Sequence, residues 1–193
     1  MEEKLEKLLV AYDLKFGGNE LGSVDPRVLT TFLLQFNLFE SFLFGRKGNV
    51  QTRLIQICED LKQVNEPLPD LAMITKCFVS RYVDDKDAKQ NFKNLKLADN
   101  EVILDGFTVK GKVLDILTHA KDRKPYELVW AYLSIAYRFR NSLFHGSKNV
   151  LSLHKYSDCF IAINEFMHDL LCYMVDTEFI GLEKKYTRRG REQ

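Results

Sequence analysis

The sequence predicts an all-α helical bundle carrying one small irregular or hairpin insertion around residues 84–122. Two observations carry the prediction. Apolar residues recur at three- and four-residue spacing through each long segment, the period of a helix with a buried face. The breaks between those segments hold Gly, Pro, Asn or Asp, the residues that start and stop helices, and one stretch, EVILDGFTVKG, reads instead as extended chain.

In chain order, a first helix is predicted over residues 2–16, with Leu5, Leu8, Leu9, Tyr12 and Phe16 on one stripe that stops at Gly17-Gly18. GGNELGSVDP follows as a loop; it lacks a G-K-[ST] ending and a preceding strand, so it is not a phosphate-binding loop. Asp25 is a fitting N-cap and Pro26 a fitting first residue for a second helix reaching Phe44. That helix is apolar around most of its circumference and is expected to be buried on more than one side. GRKGN breaks the chain, a third helix covers residues 50–64, and NEPLPD introduces a fourth running through Leu71, Ile74, Phe78 and Val79 to Tyr82.

Within the insertion, VDDKDAKQNFKNLKLADNEV has room for a short polar helix, and a hairpin is expected around Asp105-Gly106. The insertion is placed outside the main helical core. A helix resumes over residues 111–120, Pro125 opens the next long one, and a last helix spans residues 152–175, with Tyr156, Phe160, Ile163, Met167, Leu170 and Met174 on its apolar face. The sequence thus reads as a single domain over residues 1–183 with a basic tail at 184–193.

Charge narrows the function classes. Lys and Arg number 28 against 27 Asp and Glu, so any binding of nucleic acid must come from a local patch. The N-terminus MEEKLEKLLVAYDLKF has no sustained apolar region, and no run approaches the ~18 apolar residues of a membrane span. A cytoplasmic protein with no membrane partner is expected. Cys58, Cys77, Cys159 and Cys172 form no C-x-x-C pair and lie in apolar segments, which suits reduced, packed thiols.

The helix that Pro125 opens carries the candidate site. Its core stripe is Leu128, Ala131, Tyr132, Ile135, Ala136, Phe139 and Leu143, while Trp130 and Tyr137 fall nearly opposite with Leu133 and Phe144 between. That second apolar surface needs cover, either from another part of the chain or from a second subunit, and a homodimer through the surface of helix 125–145 is the expected arrangement. Ser134, Arg138, Asn141 and His145 share a narrow polar sector beside Trp130, and Asn141 and His145, four apart, are neighbours. Arg in the last turns and Gly146 after the helix are also what capping alone selects.

The segment YRFRNSLFHGS resembles the R-x(4 to 6)-H signature of the HEPN superfamily, matched here by Arg140, Asn141 and His145-Gly146 at the end of a long helix in the C-terminal half. HEPN domains are all-α, and many are homodimeric ribonucleases. The resemblance implies a metal-independent endoribonuclease with Arg140, Asn141 and His145 as catalytic residues, Arg138, Ser134 and Lys148 as substrate-binding residues, and no cofactor. Arg138 also meets the spacing, but Phe139 follows it where a polar residue is usual. The related H-x-Tyr ending is absent, since Gly146 and Ser147 follow His145. RNA is the expected partner, and such domains commonly serve as toxins or antiphage effectors restrained by an antitoxin or another defence-system partner. The chemistry fits: RNA carries its own 2′-hydroxyl nucleophile, an imidazole moves protons at neutral pH, and a guanidinium steadies the anionic phosphorane. The rival reading is a noncatalytic interaction module of the same fold.

Other pairs are weaker. His168 with Cys172 lacks further metal ligands at fitting spacing, and Asp115 with His119, like His154 with Asp158, reads as a surface ion pair or cap. Asp84, Asp85 and Asp87 read as a solvated loop. KKYTRRGR is a solubilising tail or a phosphate contact.

Overall fold

The computed structural model describes residues 25–43, 48–64, 66–85, 87–99, 102–104, 106–144, 153 and 155–177. The expected first helix, the basic tail, His145, Lys148 and His154 lie outside the described residues. The fold is all-α: α1 is Pro26–Leu43, α2 Val50–Leu61, α3 Ala72–Tyr82, α4 Gln90–Lys93, α5 Val109–Thr118, α6 Pro125–Phe144 and α7 Ser157–Asp176. Two short antiparallel hairpins interrupt them, β1 (Val83–Asp84) with β2 (Asp87–Ala88) and β3 (Val102–Leu104) with β4 (Phe107–Thr108). Gly106 takes the left-handed conformation, φ +79°, that the second turn requires.

Local chemistry explains the helix starts. The Asp25 carboxylate accepts the Arg27 amide at 2.9 Å, Asn49 accepts the Thr52 amide at 3.0 Å, Asp70 accepts the Ala72 amide at 2.9 Å and Thr108 accepts the Gly111 amide at 3.1 Å. At α6, Pro125 has no amide N–H to satisfy, and the Glu127 carboxylate reaches back to accept the Lys124 amide at 3.1 Å.

The helices share one core. Helix α6 is central: every residue from Leu128 to Ala136 is buried, as is Phe139. Helices α2 and α5 pack along one side of it. On the other side, α7 meets it through aromatic edges, Tyr132 against Phe166 at 5.8 Å between centroids and Phe139 against Phe160 at 5.3 Å. Helix α1 lies along α7 and α3 packs on α7 from elsewhere.

Three expectations change. Trp130 and Leu133 are buried within this chain, Trp130 beside Ile55 and Cys58 of α2 and Ile116 of α5, so burial of these two residues does not call for a homodimer through the surface of helix 125–145. Helix α1 buries Phe32, Phe36 and Phe39 but leaves Leu34 and Leu38 about 60% exposed, because α1 is peripheral and its neighbours cover one side. The 84–122 insertion supplies Phe92, Leu95, Leu97, Val109, Val113, Ile116 and Leu117 to the core rather than lying outside it. Polar neighbours hid Phe92, Leu95 and Leu97, since a four-residue helix shows no period, whereas Val113, Ile116 and Leu117 stand on the helix expected to resume at 111.

Candidate functional site

On helix α6, Tyr137 and Arg138 each stand three or four residues from both Ser134 and Asn141, so the four side chains form one wall. That wall closes a pocket of about 540 Å³. Its other walls come from distant parts of the chain: the first turn of α2 with the loop before it (Gly48, Asn49, Gln51, Arg53), and the segment after α4 (Lys96 to Ala98).

The pocket's shape depends on a few fixed contacts. Gly48 sits at φ +94°, and a Cβ there would stand 2.9 Å from Thr52 Cβ and Cγ2, so the turn into α2 requires glycine. Arg53 Nε donates to the Gly48 carbonyl at 2.9 Å, and Arg138 Nε donates to the Leu95 carbonyl at 2.6 Å. Ser134 Oγ donates to Gln51 Oε1 at 3.2 Å. The hydroxyl is wholly buried, so Ser134 acts on this pocket through Gln51 rather than by presenting itself to a ligand.

Arg140 points the other way around the helix. Its Nη2 lies 3.0 Å from Glu40 Oε2 of α1, and its Nη1 donates to Asn141 Oδ1 at 3.2 Å. The two partners are each about a quarter exposed, so solvent reaches the pair. Asn141 therefore joins the two halves of the site: it lines the pocket and also steadies Arg140.

No family model matches the chain, and no curated protein or solved structure matches it either.

Of the residues singled out in the sequence, Ser134, Arg138 and Asn141 come together at the pocket, Arg140 is tied to it through Asn141, and His145 and Lys148 lie outside the described residues. Glu40, Gln51, Arg53 and Lys96 were not legible in the sequence. They lie in three separate segments, and no local motif marks them. The GN turn at Gly48-Asn49 was the one usable signal, as a helix start.

The weaker pairs behave as surface chemistry. His119 Nδ1 stands 3.3 Å from Asp115, which also pairs with Arg123 at 2.5 Å. His168 Nε2 and Cys172 Sγ are 3.8 Å apart, and among the described residues no group of three His, Cys, Asp or Glu side chains is arranged to hold a metal. Nor is any described helix long and apolar enough to cross a membrane.

Proposed function

We propose that the protein is a metal-independent endoribonuclease of HEPN type, acting in the cytoplasm as a toxin or antiphage-defence effector. The observation that carries the reading is the position of Asn141, which hydrogen-bonds Arg140 and opens on a pocket with cationic walls. A phosphodiester seated there lies beside the motif helix.

In this reading the 2′-oxygen attacks the adjacent phosphorus, the bond to the 5′-oxygen breaks, and the products end in a 2′,3′-cyclic phosphate and a 5′-hydroxyl. His145, four positions after Asn141 in the sequence, takes the 2′-hydroxyl proton. Arg140 exchanges the Glu40 carboxylate for a phosphorane oxygen, a swap that its partial exposure permits. Protonation of the leaving oxygen needs a second acid, which a homodimer bringing two copies of the motif together supplies. An antitoxin or defence-system partner restrains the activity.

A second reading has one observation in its favour. An arginine already paired with a carboxylate is what a structural role produces, so the Arg140–Glu40 pair also suits a noncatalytic module that binds a nucleotide or a partner.

The test is incubation with mixed cellular RNA in EDTA, wild type beside Arg140→Ala and His145→Ala, with fragment ends mapped. The nuclease reading expects cyclic-phosphate ends from wild type and intact RNA from both variants. Equal cutting by all three, or a strict metal requirement, sinks it.

A further inference from the structure

The pockets of this protein differ in charge. A larger one, about 840 Å³, sets Lys76, Lys121 and His119 beside Asp70 and Asp122. A chamber of about 170 Å³ beside Trp130 sets Lys62 and Lys112 beside Glu59 and Glu127. The α6 pocket holds Arg53, Lys96 and Arg138, and among its described lining residues there is no carboxylate. In a chain with nearly equal numbers of acids and bases, that imbalance is local.

The three cations are also unspent. No described carboxylate forms an ion pair with Arg53, Lys96 or Arg138. Each arginine commits Nε to a backbone carbonyl, which holds the guanidinium in place and leaves its two Nη groups as donors. The side-chain amides add to this. Gln51 accepts from Ser134 through its oxygen, and Asn141 accepts from Arg140 through its oxygen, so both turn their acceptors to the protein and keep NH₂ groups for a ligand. A lining of cations and donors matches a ligand that is anionic and accepts hydrogen bonds at several oxygens, as phosphate does.

Lys96 is held at a conformational cost. Its φ is +52°, the left-handed region that glycine occupies freely and a lysine does not. An exposed position that tolerates glycine instead carries a long cation at the pocket edge.

We infer that the pocket binds the phosphate of a nucleotide, with Arg53 and Lys96, from outside the motif helix, as binding residues alongside Arg138. A volume of about 540 Å³ holds one nucleotide unit. That this unit belongs to an RNA strand rests on the proposed nuclease reading; the phosphate site itself does not.

The experiment is fluorescence anisotropy with a labelled, fully 2′-O-methylated RNA oligonucleotide, which cannot be cleaved, titrated with wild type, Lys96→Gly and Arg53→Gln. Each variant is expected to weaken binding about tenfold and to flatten the salt dependence by roughly 0.7 in log–log slope, the loss of one phosphate contact to a single strand. Lys96→Gly is the decisive variant, because glycine fits φ +52° and the protein should melt no lower than wild type. Lys121→Ala, in the charge-balanced pocket, should bind as wild type. Competition with AMP separates the sources: displacement that depends on Arg53 and Lys96 assigns the site to free nucleotides, and its failure assigns it to strands. Wild-type affinity in both variants, or no binding of either probe by wild type, overturns the site. Binding that needs both residues, in a protein that cuts no RNA, keeps the site and retires the nuclease; cutting that ignores them does the reverse.

Discussion

Arg140 on α6 reaches Glu40 on α1, Nη2 to Oε2, at 3.0 Å, joining two helices 100 residues apart in the chain. The residue that the motif offers for chemistry is thus also a strut between the long helix and the periphery of the bundle.

The pair should show measurable coupling. Because both groups are about a quarter exposed, solvent screening limits it to about 1 kcal/mol. Urea melts of Glu40→Gln, Arg140→Met and the double variant give this as a double-mutant cycle. A coupling near zero reduces the pair to a chance approach of two surface charges.

Gly48→Ala should damage fold and site together. The added Cβ meets Thr52 and must adopt φ +94°, a combined cost of about 2 kcal/mol that either unwinds the first turn of α2 or moves it. Arg53 and Gln51 ride on that turn, so binding of the methylated oligonucleotide should weaken in the same variant. Wild-type stability with unchanged binding contradicts the role given to this glycine.

Tyr132 makes stability sensitive to alkali. Burial pushes its phenol up to about 12, against a smaller opposing effect of the hydrogen bond shared with Thr75. Its folded-state value is raised above the unfolded value of about 10, so the stabilisation is whole below pH 10 and is lost as pH rises toward 12. The urea midpoint should fall between pH 9.5 and 11.5. In Tyr132→Phe, which loses about 1 kcal/mol at neutral pH with the hydrogen bond to Thr75 while Thr75 keeps its bond to the Leu71 carbonyl, that fall should be shallower.

The four thiols should sort by position under iodoacetamide. Cys172 is exposed and should be labelled first; Cys77 is half-buried and should follow slowly, its thiol pushed up by the contact with Cys159 at 3.9 Å and by burial. Cys58 and Cys159 are buried, and burial pushes the Cys58 thiol up as well, so both should react only on unfolding. Mass spectrometry of a time course reads the order, and early labelling of Cys58 contradicts the packing described.

Much of this fold was legible because its signals are local. Asp25-Pro26, Asn49 and Pro125 mark helix starts through hydrogen bonds to the next few residues, and the Leu128 to Phe139 stripe follows from the helical period. Burial of Phe92 and Leu95 was not legible, because a four-residue helix has no period and its surroundings are polar. The two-sided apolar character of α6 was visible, but whether another chain or this one covers Trp130 depends on where α2 and α5 dock. Nor could the apolar surface of α1 reveal that Leu34 and Leu38 face outward.

The sequence by itself determined the all-α class, the starts of α1, α2 and α6 and the face of α6 on which Ser134, Arg138 and Asn141 stand together, since each of these depends on residues within about two turns of one another. Only the tertiary structure decided what meets that face. Arg53 and Gln51 on α2 and the Leu95–Lys96 segment after α4 reach it from as far as 83 residues away, and Glu40 on α1 meets Arg140 on another side of the helix, all brought there by burial of apolar surfaces elsewhere in the helices. Burial is non-directional and leaves no local trace at the polar residues it carries along.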